Sequence, residues 1–73
     1  MKNGDRCKVN PENDNENYDS FRDKVLIVTN VARNNIEHPG YDNSIFPQKL
    51  YDFIAEDGTE IHCSLYDYEL VKL

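Results

Sequence analysis

The residues of this chain that could act as nucleophiles are three serines and two cysteines: Ser20, Ser44, Ser64, Cys7 and Cys63. Nucleophilic catalysis needs such a group beside a histidine that a carboxylate orients. Cys63 is predicted to face the core, where a thiol is inaccessible and its pKa is raised. The chain has no nucleophile elbow, no phosphate-cradling glycine loop and no dinucleotide fingerprint, and it has only three glycines. We therefore predict that it is not an enzyme.

Two groups of residues contain metal-ligand types but lack the required arrangement. A zinc site would need Cys7, Cys63, His38 and His62, yet residues 62 and 63 are neighbours and point to opposite faces of a strand. The acidic stretch 12–19 has no frame with Asp, Gly and Glu at the first, sixth and twelfth positions of a calcium loop. The sequence predicts a solvated acidic loop, with a weak cation site as the alternative, and it predicts no metal and no cofactor.

The charge balance limits the classes of partner. The 73 residues carry a formal net charge of −6, with eight Lys and Arg and no three of these together. Such a chain is repelled by phosphate backbones and anionic lipid, so we expect no direct nucleic-acid or membrane binding and leave a basic protein as the possible partner. No run of 18 apolar residues exists, and charged residues follow Met1. We therefore expect neither a membrane span nor a secretory signal. The expected location is the cytoplasm.

The length and the cysteine count fit one small domain over residues 1–73. Two cysteines in a chain without an export signal favour reduced, buried thiols. A disulfide between Cys7 and Cys63 is the alternative, because both fall on predicted strands that could be neighbours. The sequence gives no oligomeric state.

The strongest structural signal is a β-hairpin. Strand-like runs at 49–55 and 60–65 flank Asp57-Gly58, a pair typical of a two-residue type I′ turn. That turn would pair residue 54 with 61 and residue 50 with 65. It would place Leu50, Ile54, Ile61, Cys63 and Leu65 on the core face and Tyr51, Phe53, Ala55, Glu60, His62 and Ser64 on the other face.

Three further strands are predicted at 5–9, 25–32 and 69–73. The run 25–32 is rich in β-branched residues, and a bulge near Thr29 or Asn30 would mix its two faces. One tight helical turn is predicted at 66–68, and two long loops at 10–20 and 35–48. These elements indicate an all-β domain of five short strands.

Several segments resemble SH3-like small β-barrel modules of the Tudor-like and KOW-like kind. Gly4-Asp5-Arg6-Cys7-Lys8-Val9 resembles their opening strand, and Phe21-Arg22-Asp23-Lys24 with the following apolar run is similar to their second strand. Asp57-Gly58 resembles their central hairpin turn, and 64–70 resembles the 3₁₀ turn before their last strand. The resemblance implies a five-stranded antiparallel SH3-like barrel with two long loops.

Aromatic residues on the outer face of the hairpin and in the neighbouring loop suggest a binding surface. We predict that Tyr41, Phe46, Tyr51, Phe53 and His62 dock a protein partner, with an acidic rim that steers a basic one. The alternative to a binding surface is a structural role, in which the 35–48 loop folds over these rings to complete a second small core. The Tudor-like resemblance also implies an aromatic cage for a methylated cation.

Two other functions stay open at this point. The charge of −6 suggests an acidic mimic of nucleic acid that inhibits a DNA- or RNA-binding protein. An accessory subunit of an enzyme complex is a third possibility, as some SH3-like barrels serve in redox complexes.

Overall fold

The computed structural model describes residues 1–73. It contains five strands, β1 (Arg6–Val9), β2 (Leu26–Ala32), β3 (Leu50–Ala55), β4 (Leu65–Tyr66) and β5 (Leu70–Lys72), and three single 3₁₀ turns, η1 (Glu16–Tyr18), η2 (Asn43–Ile45) and η3 (Asp67–Glu69). The strands form one antiparallel sheet in the order β4-β3-β2-β1-β5. The all-β class and the five strands are confirmed. The two edge strands are not hydrogen-bonded to each other, so the sheet is open.

The β2 strand is the centre of the sheet, and its pairing is irregular close to Thr29 and Asn30, where a bulge would mix the two faces of the strand. Its register with β3 shifts between Val28 and Asn30. Before the shift Leu26 and Val28 are buried, and after it Ala32 is buried. The shift lets one strand contribute to two apolar clusters, since an extra residue re-aims the side chains that follow it. The larger cluster has ten buried residues, and the smaller consists of Ala32, Tyr41 and Leu50.

The predicted type I′ turn is wrong. Within the turn, Gly58 has a positive φ of 90° but Asp57 does not, whereas a type I′ turn needs a positive φ at both residues. The N–H of Gly58 donates to the carbonyl of Ala55 at 2.9 Å, and the N–H of Ala55 donates to the carbonyl of Thr59 at 3.0 Å. This is a three-residue loop over 56–58, in which a tight turn is followed by a left-handed glycine. Gly58 supplies that conformation without a side-chain clash.

The extra loop residue changes the pairing and the faces of β3. Ile54 pairs with Glu60 instead of residue 61, and Tyr51 pairs with Leu65. Because side chains alternate along a strand, the inward set changes as well. Tyr51 and Phe53 are buried, while Ile54 is 38% exposed. The predicted return strand is also shorter, since residues 61–64 pair with nothing and β4 has two residues.

Neighbouring positions 53 and 54 test this assignment of faces. Phe53→Ala should lower the free energy of unfolding by about 3–5 kcal/mol, because it removes a core ring. Ile54→Ala should cost no more than about 1 kcal/mol, because its side chain is partly in water. Urea unfolding followed by circular dichroism measures both, and Phe53→Leu, at about 1 kcal/mol, serves if Phe53→Ala does not fold. A larger loss for Ile54→Ala than for Phe53→Ala would contradict the observed register.

Candidate functional site

The structure separates the five residues predicted to bind a partner. Tyr51, Phe53 and Tyr41 are buried, with 0%, 6% and 4% of their surface exposed. Phe46 and His62 are exposed. The predicted aromatic outer face of the hairpin is therefore wrong, because the three-residue loop turns its rings into the core. The alternative prediction, a second small core under the 35–48 loop, holds for Tyr41, which packs with Ala32 and Leu50.

A serine, a histidine and an aspartate are in hydrogen-bond contact in the structure, although no spacing in the sequence predicts this contact. His38 from the β2–β3 loop, Asp52 of β3 and Ser64 before β4 form one hydrogen-bonded cluster. Nε2 of His38 lies 3.2 Å from Oδ1 of Asp52 and 3.2 Å from Oγ of Ser64. The hydroxyl of Ser64 donates to the same Asp52 oxygen. Asn30 of β2 donates to the other carboxylate oxygen at 3.3 Å.

The protonation of His38 decides what this cluster can do. Nδ1 of His38 accepts from the backbone N–H of Gly40 at 2.9 Å, so Nδ1 holds a lone pair and Nε2 carries the proton. A general base must present a lone pair to the serine, with the carboxylate on its other nitrogen. Here Nε2–H faces both Ser64 and Asp52. The cluster gathers three donors on one carboxylate, and it ties the β2–β3 loop to the sheet.

The carboxylate of Asp52 is stabilised in its charged form. Burial raises its pKa, but the hydrogen bonds from Ser64, His38 and Asn30 outweigh burial and hold the pKa below the usual value. The same donors make this a structural anchor between β3 and the loop that carries Tyr41.

Four tyrosine rings lie along β4, η3 and the two long loops; Tyr68 is exposed, Tyr18 and Tyr66 are half-buried, and Tyr41 is buried. The rings of Tyr66 and Tyr68 are stacked, with centroids 6.1 Å apart and planes 3° from parallel. Tyr41 meets Tyr66 edge to face at 5.6 Å. Tyr18 of the first loop donates its hydroxyl to Glu69 of η3 at 2.9 Å. We name Tyr18, Tyr41, Tyr66 and Tyr68 the tyrosine row.

Hydrogen bonds from backbone N–H groups to side-chain oxygens hold the row in place. Glu69 accepts from the N–H of Tyr66 at 3.0 Å, and the hydroxyl of Tyr66 accepts from the N–H of Asp42 at 2.9 Å. Burial and the adjacent carboxylate of Glu69 raise the pKa of Tyr18 to about 12, so this hydroxyl stays a donor. Tyr68 is 59% exposed and offers a ring face to solvent. The signal in the sequence is the pair of tyrosines, Tyr66 and Tyr68, at the two ends of the predicted tight turn.

The acidic part of the first loop borders the row. Glu12, Asp14 and Glu16 make no ion pair and no side-chain hydrogen bond. We name these three residues the acidic segment. Asn13, within it, donates to Glu69 at 3.4 Å, and η1 runs directly from Glu16 to Tyr18. Unpaired carboxylates therefore adjoin the half-buried Tyr18 of the tyrosine row.

The two cysteines are free thiols, as predicted, and they are not joined. Cys7 is fully buried, and burial raises the pKa of its thiol to about 11. Cys63 is half-buried and packs against the large cluster, outside any strand. No group of three or more His, Cys, Asp or Glu side chains is placed to hold a metal ion.

Comparison with protein-family models, with curated proteins and with solved structures found no match for this chain. None of its helical turns has the length and apolar character needed to cross a bilayer.

The Asp52 anchor predicts a pH dependence. A carboxyl whose pKa is lowered by folding stabilises the fold above its unfolded pKa of about 3.9, and this contribution is lost as the pH falls through the folded pKa. Asp52→Asn should therefore cost about 1 kcal/mol at neutral pH, a value discounted for partial exposure, and progressively less in acid. Urea midpoints at several pH values measure the difference.

Asp23→Asn is the matched control, because Asp23 is an exposed carboxyl without an ion pair or side-chain hydrogen bond. Its unfolding free energy should follow the wild type at every pH. A cost for Asp52→Asn that is the same at neutral and acidic pH would show that Asp52 does not act through its charge.

Proposed function

We propose that this chain is a non-enzymatic protein-binding module that docks a basic segment of a partner on the tyrosine row. The observation that carries the proposal is the stacked pair of Tyr66, which is half-buried, and Tyr68, which is exposed, beside the acidic segment. Aromatic faces attract Lys and Arg side chains and bury much area at little entropic cost. The unpaired carboxylates would guide such a segment to the rings.

We also propose that the bent sheet is an SH3-like barrel. A flat sheet would hold β4 and β5 roughly 19 Å apart, over four strand spacings of about 4.8 Å. The connection between them is η3, whose three residues rise about 6 Å in all. The sheet must therefore curl until its edges approach. The 3₁₀ turn directly before the last strand supports the same assignment.

A role in catalysis has less support. The Ser64, His38 and Asp52 cluster presents an N–H where a base would need a lone pair. Its serine already donates to a carboxylate, and none of the three surface grooves is lined by these residues. The proposal therefore assigns binding, not turnover, to the chain, and a cytoplasmic location stays a prediction.

Mimicry of nucleic acid, the second interpretation of the charge, has less support from the arrangement of carboxylates. Most of the 14 acidic side chains are held by cations or backbone N–H groups, as Asp57 is by Lys24 and Asp67 by Lys49. The carboxylates without such partners are Glu12, Asp14, Glu16 and Asp23. A phosphate mimic would need more of them, regularly spaced.

Tyr68→Ala tests the proposal, because the Tyr68 ring is exposed and its hydroxyl has no hydrogen bond within the chain. An array of extended peptides with and without Lys and Arg serves as the probe, and fluorescence anisotropy measures the affinity of those retained. We expect wild type to retain the basic peptides and Tyr68→Ala to bind them about tenfold more weakly.

Ile36→Ala is the matched control, since it removes a side chain that is 91% exposed and lies outside the row. Its affinity should equal that of the wild type. Retention of basic and neutral peptides alike, or equal loss in both variants, would contradict docking on the tyrosine row. Binding that survives about 0.5 M salt would assign most of the affinity to the rings instead of the charges.

A further inference from the structure

An open groove of about 560 Å³ lies on the side of the sheet formed by β2, the start of the chain and the segment before β3. Its charged lining consists of Lys2, Arg33, Lys49 and Glu37. Glu37 is bound to Arg33, whose Nε lies 3.0 Å from the carboxylate. Three cations against one anion give the lining a net charge of +2, in a chain whose total is −6. We name Lys2, Arg33 and Lys49 the basic groove.

Two of the three cations of the groove are ones that the fold leaves without partners. Of the eight Lys and Arg residues, five, including Arg33, form ion pairs within the chain. The three that do not are Lys2, Lys8 and Lys49, and two of these line the groove. Two of the three unpaired cations therefore lie in the basic groove, and three of the four unpaired carboxylates lie in the acidic segment.

The acidic segment has a fixed shape. Arg22 donates to the backbone carbonyls of Asn13 and Asn15, and the Asn15 side chain accepts the N–H of Asn17 at 3.0 Å to begin η1. A segment that is already ordered loses little entropy when it docks. Its three carboxylates, at alternate positions 12, 14 and 16, are exposed.

We propose that the basic groove of one copy of this chain binds the acidic segment of a second copy. The proposal goes beyond the docking of a basic partner, because it assigns a different surface and a different ligand. An acidic segment fits the groove better than a nucleic acid does, since a net charge of +2 displaces few counterions. Groove and segment are different surfaces, so the contact is head-to-tail and leaves a free surface at each end.

The contact is weak and depends on salt. Each exposed ion pair contributes little free energy, so we expect a dissociation constant of about 1 mM. Because salt screens such pairs, association should be about tenfold weaker at about 0.3 M salt than at low salt. Sedimentation velocity at millimolar protein concentration measures it.

Paired charge reversals test the proposal against general charge effects. Lys49→Glu should abolish association, whereas Lys8→Glu, which makes the same change in net charge at an equally half-buried lysine outside the groove, should not weaken it. Glu16→Lys should likewise abolish association and Asp23→Lys should not. An equimolar mixture of the Lys49→Glu and Glu16→Lys variants should form a dimer that does not extend, since the first keeps its acidic segment and the second keeps its groove.

Three results would overturn the proposal. The wild type could remain monomeric at low salt, the control reversals could weaken association as much as the test reversals, or the mixture could stay monomeric. Unfolding curves of each variant confirm that the fold is intact. Each result leaves the peptide-binding test of the tyrosine row unaffected, because that test compares the wild type with Tyr68→Ala and Ile36→Ala, which change neither the basic groove nor the acidic segment.

Discussion

The arrangement of the chain depends on the loop over 56–58, because that loop decides which side chains of β3 face the core. Gly58 takes a φ of 90°, and Asp57 accepts the N–H of Thr59 at 2.9 Å while it binds Lys24 at 2.6 Å. The hydrogen bonds from Lys24 and Thr59 hold the pKa of Asp57 well below its usual value. A loop longer or shorter by one residue would shift the pairing of the return strand by one position and reverse its faces relative to β3. With this loop, Tyr51 and Phe53 are buried.

The burial of those two rings has a consequence for the surface. A 73-residue chain with eight aromatic residues has few rings left for contact with other molecules once its core is complete. The stack of Tyr66 and Tyr68 comes from β4 and η3, where the chain crosses between the two edges of the sheet. Glu69 connects η3 to the first loop through Tyr18, and Asp42 of the second loop contacts Tyr66. The tyrosine row is thus assembled where the two edges of the sheet are joined.

Local patterns were sufficient to predict β1, β2, β3 and β5 and the 3₁₀ turn before β5, because each depends on neighbouring residues, whereas the return strand predicted at 60–65 is reduced to β4 at Leu65–Tyr66. The hairpin register was not predictable in this way. Asp57-Gly58 fits a loop of two or three residues, and the choice involves Lys24, which is 33 positions away. The same holds for the candidate site: Tyr18 and Glu69 are separated by 51 positions, and Ser64 and His38 by 26. No spacing in the sequence encodes such contacts.

The distribution of unpaired charge links the two proposed binding surfaces. Ion pairs within the chain use most cations at turns and strand ends, as Arg6 with Glu56 and Lys24 with Asp57 do. In the two proposals the acidic segment serves both as the rim of the tyrosine row and as the ligand of the basic groove. One set of carboxylates cannot bind two cationic surfaces at once. If both proposals hold, we expect a basic partner on the row and a second copy at the segment to compete, with the stronger ligand displacing the weaker self-contact.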